Sequence, residues 1–177
     1  VGDQGSATSY IHTHLGYPSN FNPIVGGTAT DGKHGKAMAG NYGTATVDDF
    51  GQATAGDYGQ ATAGDFGQAT AGRSGLATAR NHSQVMAGTF GIATAGDYGT
   101  AVSGEYGRST TGRGGRSESG QSGVVQAGEL GSISLPFWDA NVDRYRVIVG
   151  YIGEGGLEPD VAYKCENFKF VKVCATK

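Results

Sequence analysis

Four sets of side chains have the types and spacing to do chemistry. His12 and His14 form an H-x-H pair, with His34 further on. Paired imidazoles suit a metal site or a general base, but no Cys, Asp or Glu lies within residues 10–23 to complete a ligand set. Polar residues of a loop are therefore the preferred reading. Asp49, Asp65, Asn81 and Asp97 recur every sixteen residues. Stacked along one edge at ~4.8 Å, such charges repel by about 1 kcal/mol or less when solvated, and a cation could bridge them. Turn aspartates are preferred, because the calcium-binding nonapeptide has period nine and this chain has period eight. Cys165 and Cys174 could close a disulfide in an oxidising compartment or remain two thiols on neighbouring strands; both readings stay open. Their spacing is no zinc motif. The fourth set is a run of threonines, Thr46, Thr62, Thr78, Thr94 and Thr110, again sixteen apart, with Thr44 beside the first.

No catalytic constellation accompanies them. No Ser, His and acid set can be assembled, no phosphate loop precedes a helix, and the Gly-x-Gly strings are repeat turns without motif value. A non-enzyme without metal or cofactor is expected. The net charge of −3, with Lys and Arg scattered, leaves no footprint for nucleic acid or an anionic membrane. No apolar run approaches the ~20 residues of a membrane helix.

The elements that position these residues follow from one repeat. Gly56-Asp57-Tyr58-Gly59-Gln60-Ala61-Thr62-Ala63 recurs almost unchanged as Gly64-Asp65-Phe66-Gly67-Gln68-Ala69-Thr70-Ala71, and the frame runs without a slip from Gly32 through Leu135, thirteen octads in all. Such self-similarity marks a solenoid, in which each unit buries its face only against its neighbours. Gly-Asp-Tyr-Gly reads as a turn whose two glycines supply positive φ and whose Asp bonds nearby backbone. Gln-Ala-Thr-Ala reads as a strand, with the alanines inward and Gln and Thr outward. A core lined by Ala is thin, so two octads per sixteen-residue coil is preferred over three. Fourteen octads from Ile24 to Leu135 make about seven coils and a rod roughly 34 Å long at the ~4.8 Å spacing of strands. The expected fold is all-β, a β-solenoid with a small C-terminal β cap.

Three regions result. Residues 1–31 hold one octad-like stretch, Gly2 to Ser9, and a fourteen-residue break, Tyr10 to Pro23, read as a loop or N-terminal cap. Residues 32–135 are the repeat. Residues 136–177 follow a different grammar, with strands expected over Tyr145 to Tyr151, Val161 to Cys165 and Phe168 to Val173. An open solenoid end is a sheet edge that invites pairing, so this apolar segment is expected to cover it.

Octads followed by this tail resemble the bacterial ice nucleation proteins. The tail likeness rests on Trp138-Asp139, Arg144-Tyr145, Val147 to Val149, Gly153-Glu154, Gly156-Leu157-Glu158, Asp160 and Tyr163. The resemblance spans about residues 24 to 173, although similar octad-plus-tail chains also occur in bacterial and prophage proteins of unknown role. It implies sixteen-residue coils, an extracellular or cell-surface setting, and ice or ordered water as the partner. The family's ice-binding strands carry Thr-x-Thr, the form of Thr44-Ala45-Thr46, whereas the usual strand here is Gln-Ala-Thr. The candidate ice-binding residues are Thr44, Thr46, Thr62, Thr78, Thr94 and Thr110; the bland alternative is that Thr simply suits a solvated strand.

The turn aromatics form two further columns. Tyr42, Tyr58, Phe90 and Tyr106, interrupted by Ser74, are a candidate homodimer edge, and Phe50, Phe66, His82 and Tyr98 lie on the other edge. Stacking that supports coil-on-coil packing is the alternative role. A structural or adhesive rod, secreted or phage-associated, is the competing function.

Overall fold

The computed structural model describes residues 6–9 and 26–173. Residues 10–25, which hold the expected loop and the His12 and His14 pair, and Cys174, the second member of the cysteine pair, lie outside that set. In chain order the strands are β1 (Ser6–Ser9), β2 (Thr28–Asp31), β3 (Lys36–Ala39), β4 (Thr44–Val47), β5 (Gln52–Ala55), β6 (Gln60–Ala63), β7 (Gln68–Ala71), β8 (Leu76–Ala79), β9 (Gln84–Ala87), β10 (Ile92–Ala95), β11 (Thr100–Ser103), β12 (Arg108–Thr111), β13 (Arg116–Ser119), β14 (Val124–Gln126), β15 (Ser132–Asp139), β16 (Arg144–Tyr151), β17 (Tyr163–Glu166) and β18 (Lys169–Lys172). No helix occurs among the described residues.

Successive strands alternate between two parallel sheets, the odd-numbered from β1 to β15 in one and the even-numbered from β2 to β14 in the other. The register is sixteen residues throughout the repeat: Ala61 lies beside Ala77 and Thr62 beside Thr78. The fourteen strands β2 to β15 thus make seven coils of a β-solenoid, and the coil of three octads is excluded. β1 pairs with β3 as Ser6 with Lys36, an offset of thirty that equals one coil plus the fourteen-residue break.

The inward and outward assignment holds. Ala37, Ala45, Ala61, Ala77, Ala93 and Ala101 are almost wholly buried between the sheets. Toward the C-terminal end the thin core turns polar. Ser109 and Ser117 bond across it at 2.8 Å, and Ser103 donates to Ser119 at 2.8 Å. Thr111 Oγ1 is the one buried side-chain oxygen without a partner among the described residues. An orphaned hydroxyl costs about 1–3 kcal/mol of desolvation, so Thr111→Val is expected to stabilise the fold by about 1 kcal/mol in urea unfolding. A comparable loss would mean that the hydroxyl is satisfied.

The turns differ from the sequence reading in which residue adopts the left-handed backbone. The glycines at octad positions one and four do not carry positive φ. The third residue does: Tyr42, Phe50, Tyr58, Phe66, His82, Phe90, Tyr98 and Tyr106 all sit at φ between 55 and 59°, apart from His82 at 54°. Gly114 takes the same conformation in the octad that begins at Gly112, with φ of 62°. The flanking glycines are needed for space. A Cβ at Gly59 would lie 2.8 Å from Ala55 Cβ and 2.9 Å from Gly56 O, and one at Gly64 would lie 2.4 Å from Asp49 Oδ1.

The aspartates differ from expectation in reach. Each bonds backbone one full coil away rather than within its own turn. Asp49 Oδ1 accepts from Asp65 N–H at 3.0 Å, Asp65 Oδ1 from Asn81 N–H at 2.9 Å, Asn81 Oδ1 from Asp97 N–H at 2.9 Å, and Asp97 Oδ1 from Arg113 N–H at 2.8 Å. Asn41 and Asp57 do the same on the other edge. The side-chain ladder supplements backbone bonds between the same turns, such as Phe66 N–H to Asn81 O at 2.9 Å.

After the last coil both sheets change direction. β16 pairs antiparallel with β15, β17 pairs antiparallel with β14 through Val125 and Tyr163, and β18 pairs with β17. Three tail strands were expected within a residue or two of these limits, but the run of β15 through Pro136-Phe137-Trp138 was not. Pro136 is tolerated there because β13 pairs only with Ser132 to Ser134, so one side of the strand is open at the proline. Val125, Ala127, Ile133, Leu135, Ile152 and Tyr163 form a second apolar cluster at this end, distinct from the alanine core.

Candidate functional site

The outer face of the even-numbered sheet is built by the fifth and seventh octad residues. Alternation sends these side chains to solvent, and the sixteen-residue register stacks each kind above itself. Thr46, Thr62, Thr78, Thr94 and Thr110 fall into one column, as expected, since Thr46 pairs with Thr62, Thr62 with Thr78, Thr78 with Thr94 and Thr94 with Thr110. Thr44 stands in the neighbouring column, followed by Gln60, Leu76, Ile92 and Arg108.

Two residues were missed. Thr28 pairs with Thr44 and Thr30 with Thr46. The first of these strands, Thr28-Ala29-Thr30, repeats Thr44-Ala45-Thr46 one coil earlier, within the octad Ile24 to Asp31, so its Thr-x-Thr form was already present in the sequence. The threonine column therefore has six members over consecutive coils. At the C-terminal end Gln126 ends it, accepting from Arg108 Nη2 at 2.9 Å and donating to Asp160 O at 3.1 Å. The column presents hydroxyls and methyls repeated at the strand spacing of about 4.8 Å. Beside it, Leu76 and Ile92 are exposed apolar side chains.

The opposite face is mixed. Its seventh-position column runs Met38, Thr54, Thr70, Met86, Val102 and Glu118, and Arg116 pairs with Glu118 there. The aspartate edge offers little to a cation, because one oxygen of each acid already accepts a backbone N–H. Among the described residues no group of three His, Cys, Asp or Glu is placed to hold a metal.

The aromatic edges are stacks of rings. Tyr42 lies over Tyr58 at 5.0 Å, and Phe90 over Tyr106 at 5.1 Å, with nearly parallel rings in both pairs. Ser74 separates the pairs, and the Arg73 guanidinium sits 5.8 Å from the Phe90 ring centroid. The unbroken stack is on the other edge, where His34, Phe50, Phe66, His82 and Tyr98 follow one another at 4.9 to 5.2 Å. Stacking of this kind contributes about 0.5–1.5 kcal/mol per pair beyond burial. That offsets the roughly 1–2 kcal/mol of holding an L-residue in the left-handed region.

A shallow cleft at the C-terminal end is lined by Gln121, Leu135, Phe137, Trp138 and Cys165, among others. Burial pushes the Cys165 thiol up, against the backbone N–H groups of Phe168 and Lys169, which lower it. A raised thiol is a poor nucleophile near neutral pH. No helix of the described chain is long and apolar enough to cross a membrane. Comparison with family models, curated proteins and solved structures gives no match, so the likeness to ice nucleation proteins rests on the residues quoted for it.

Proposed function

We propose that this β-solenoid is a non-catalytic rod that binds ice or ordered water along the outer face of its even-numbered sheet. One observation carries the reading: Thr30, Thr46, Thr62, Thr78, Thr94 and Thr110 stand in register on consecutive strands. A column repeated at fixed spacing suits a periodic ligand, whereas catalysis needs a unique constellation at one point. Hydroxyl and methyl groups repeated along a sheet can hold water in a matching repeat, and Thr44 and Thr28 widen the array at its N-terminal end. The rod needs no cofactor for this.

The test is ice-crystal shape and thermal hysteresis in a slowly cooled solution. The unmutated chain should shape growing crystals. Thr78→Lys, mid-column and beside Leu76, should abolish that activity with the melting temperature nearly unchanged, because the side chain lies on the outer face. Thr70→Lys on the mixed face is the matched control and should keep it. An unmutated protein that neither shapes ice nor shows hysteresis refutes the reading.

The second reading is a structural or adhesive rod that binds a protein partner or its own copy through an aromatic edge. The half-exposed rings of Tyr42, Tyr58, Phe90 and Tyr106 favour it, as does the longer stack on the opposite edge. Loss of self-association in Tyr58→Ser, with ice activity absent throughout, would select it.

A further inference from the structure

The tail buries the end of the core but leaves the odd-numbered sheet open. β16 is its last strand, and among the described residues no strand lies on its far side. It is eight residues long and pairs with β15 without a bulge, from Ser132 beside Tyr151 to Asp139 beside Arg144. It has no Pro and no Lys, the usual devices that blunt an edge, and by alternation its two charges, Arg144 and Arg146, lie on the face opposite Tyr145, Val147, Val149 and Tyr151. The terminal strand of the other sheet is blunted: β18 has four residues and carries Lys169 and Lys172 at its two ends.

The solvent face of β16 is apolar. Tyr145, Val147, Val149 and Tyr151 are 55, 61, 57 and 57% exposed, and Trp138 of β15 packs edge-on to Tyr145 at 5.0 Å. Clustered exposed apolar groups beside an open edge mark an interaction surface. The order of the stripe identifies its partner. Tyr-Arg-Val-Ile-Val-Gly-Tyr is a palindrome of apolar types about Ile148. A two-fold axis through that point makes the same patch meet itself, as an isologous interface requires.

We propose that β16 pairs antiparallel with β16 of a second copy about a two-fold axis at Ile148. Tyr145 then faces Tyr151 of the second copy, and Val147 faces Val149, all on one surface of a continuous sheet. The register also handles charge. Arg146 falls opposite Gly150, so no two cations meet, and Arg146 is already engaged by Asp139 of its own chain at 3.1 Å. The odd-numbered sheets of two rods join tail to tail, and the threonine columns remain uncovered.

The experiment is sedimentation velocity on the full chain over a concentration series, with circular dichroism to verify folding. The wild-type chain should run as a dimer. Val147→Lys with Val149→Lys places like charges opposite each other at both positions and should give a folded monomer. Val147→Lys with Val149→Glu places Lys opposite Glu twice and should restore the dimer. A wild-type chain that is monomeric throughout overturns the proposal, as does a doubly lysine-substituted chain that dimerises like wild type. A Lys/Glu variant as monomeric as the Lys/Lys variant overturns the two-fold register. Because the variants leave Thr78 and its column untouched, ice activity and dimerisation can fail separately.

Discussion

Tyr163→Ala is expected to lower the unfolding free energy by about 3–5 kcal/mol, the range for removing a large buried aromatic. Tyr163 is only 2% exposed and heads the fully buried side chains by volume. It sits beside Val125 on the last repeat strand of the even-numbered sheet and meets Phe170 edge-on at 6.3 Å. Its hydroxyl accepts from Glu158 N–H at 2.7 Å, so truncation also orphans a backbone donor. The cluster it completes, with Val125, Ile133, Leu135 and Ile152, separates the apolar end of the solenoid from water. Its loss should therefore cause aggregation as well as a lower midpoint in denaturant. Tyr163→Phe removes only the hydroxyl and should cost about 1–3 kcal/mol. A loss under about 1 kcal/mol for Tyr163→Ala would show that the tail does not secure the solenoid end.

Gly59→Ala should cost about 3 kcal/mol, at the upper end of overpacking penalties. The added methyl would lie 2.8 Å from Ala55 Cβ, 2.9 Å from Gly56 O and 3.0 Å from Gly43 O. The last two are backbone atoms, one of them in the preceding coil, and cannot swing aside as a long side chain would. Any shift also disturbs the bond from Leu76 N–H to Gly59 O at 2.9 Å, which fixes the next coil. The contrasting change is Phe66→Gly. It relieves roughly 1–2 kcal/mol of left-handed strain and gives up stacking on Phe50 and His82 worth about 0.5–1.5 kcal/mol each. Its net effect should lie between a gain of about 1 and a loss of about 2 kcal/mol. Unfolding in urea measures both variants. Equal losses for the two would mean that the glycine at position four is conformational, as the sequence alone suggested, and not spatial.

Much of the molecule was legible from local chemistry. Position-by-position alternation in Gln60-Ala61-Thr62-Ala63 separates an inner from an outer face because a strand repeats every two residues. An interior of Ala side chains admits only two sheets in close contact, which sets the coil at two octads. Once the coil is sixteen residues, the threonine column and both aromatic columns follow by arithmetic, because parallel strands stack like upon like.

The remainder depended on contacts between coils and within the tail. Which turn residue takes positive φ could not be read from residue types, since Gly is the usual carrier; the stacked rings and the backbone packed against Gly59 and Gly64 reverse that preference. The aspartates looked like local turn formers, and only the stacking of coils brings the backbone N–H of residue i+16 within hydrogen-bonding distance of their side-chain oxygens. The tail has no period, so the pairing of Tyr163 with Val125 and the run of β15 past Pro136 arise from the space left at the end of the last coil. The solenoid, its coil length and its facing residues follow from residue order, because these repeat with the backbone. How the coils interlock, and which strand stays open at the C-terminal end, depends on groups that only folding brings together from different coils.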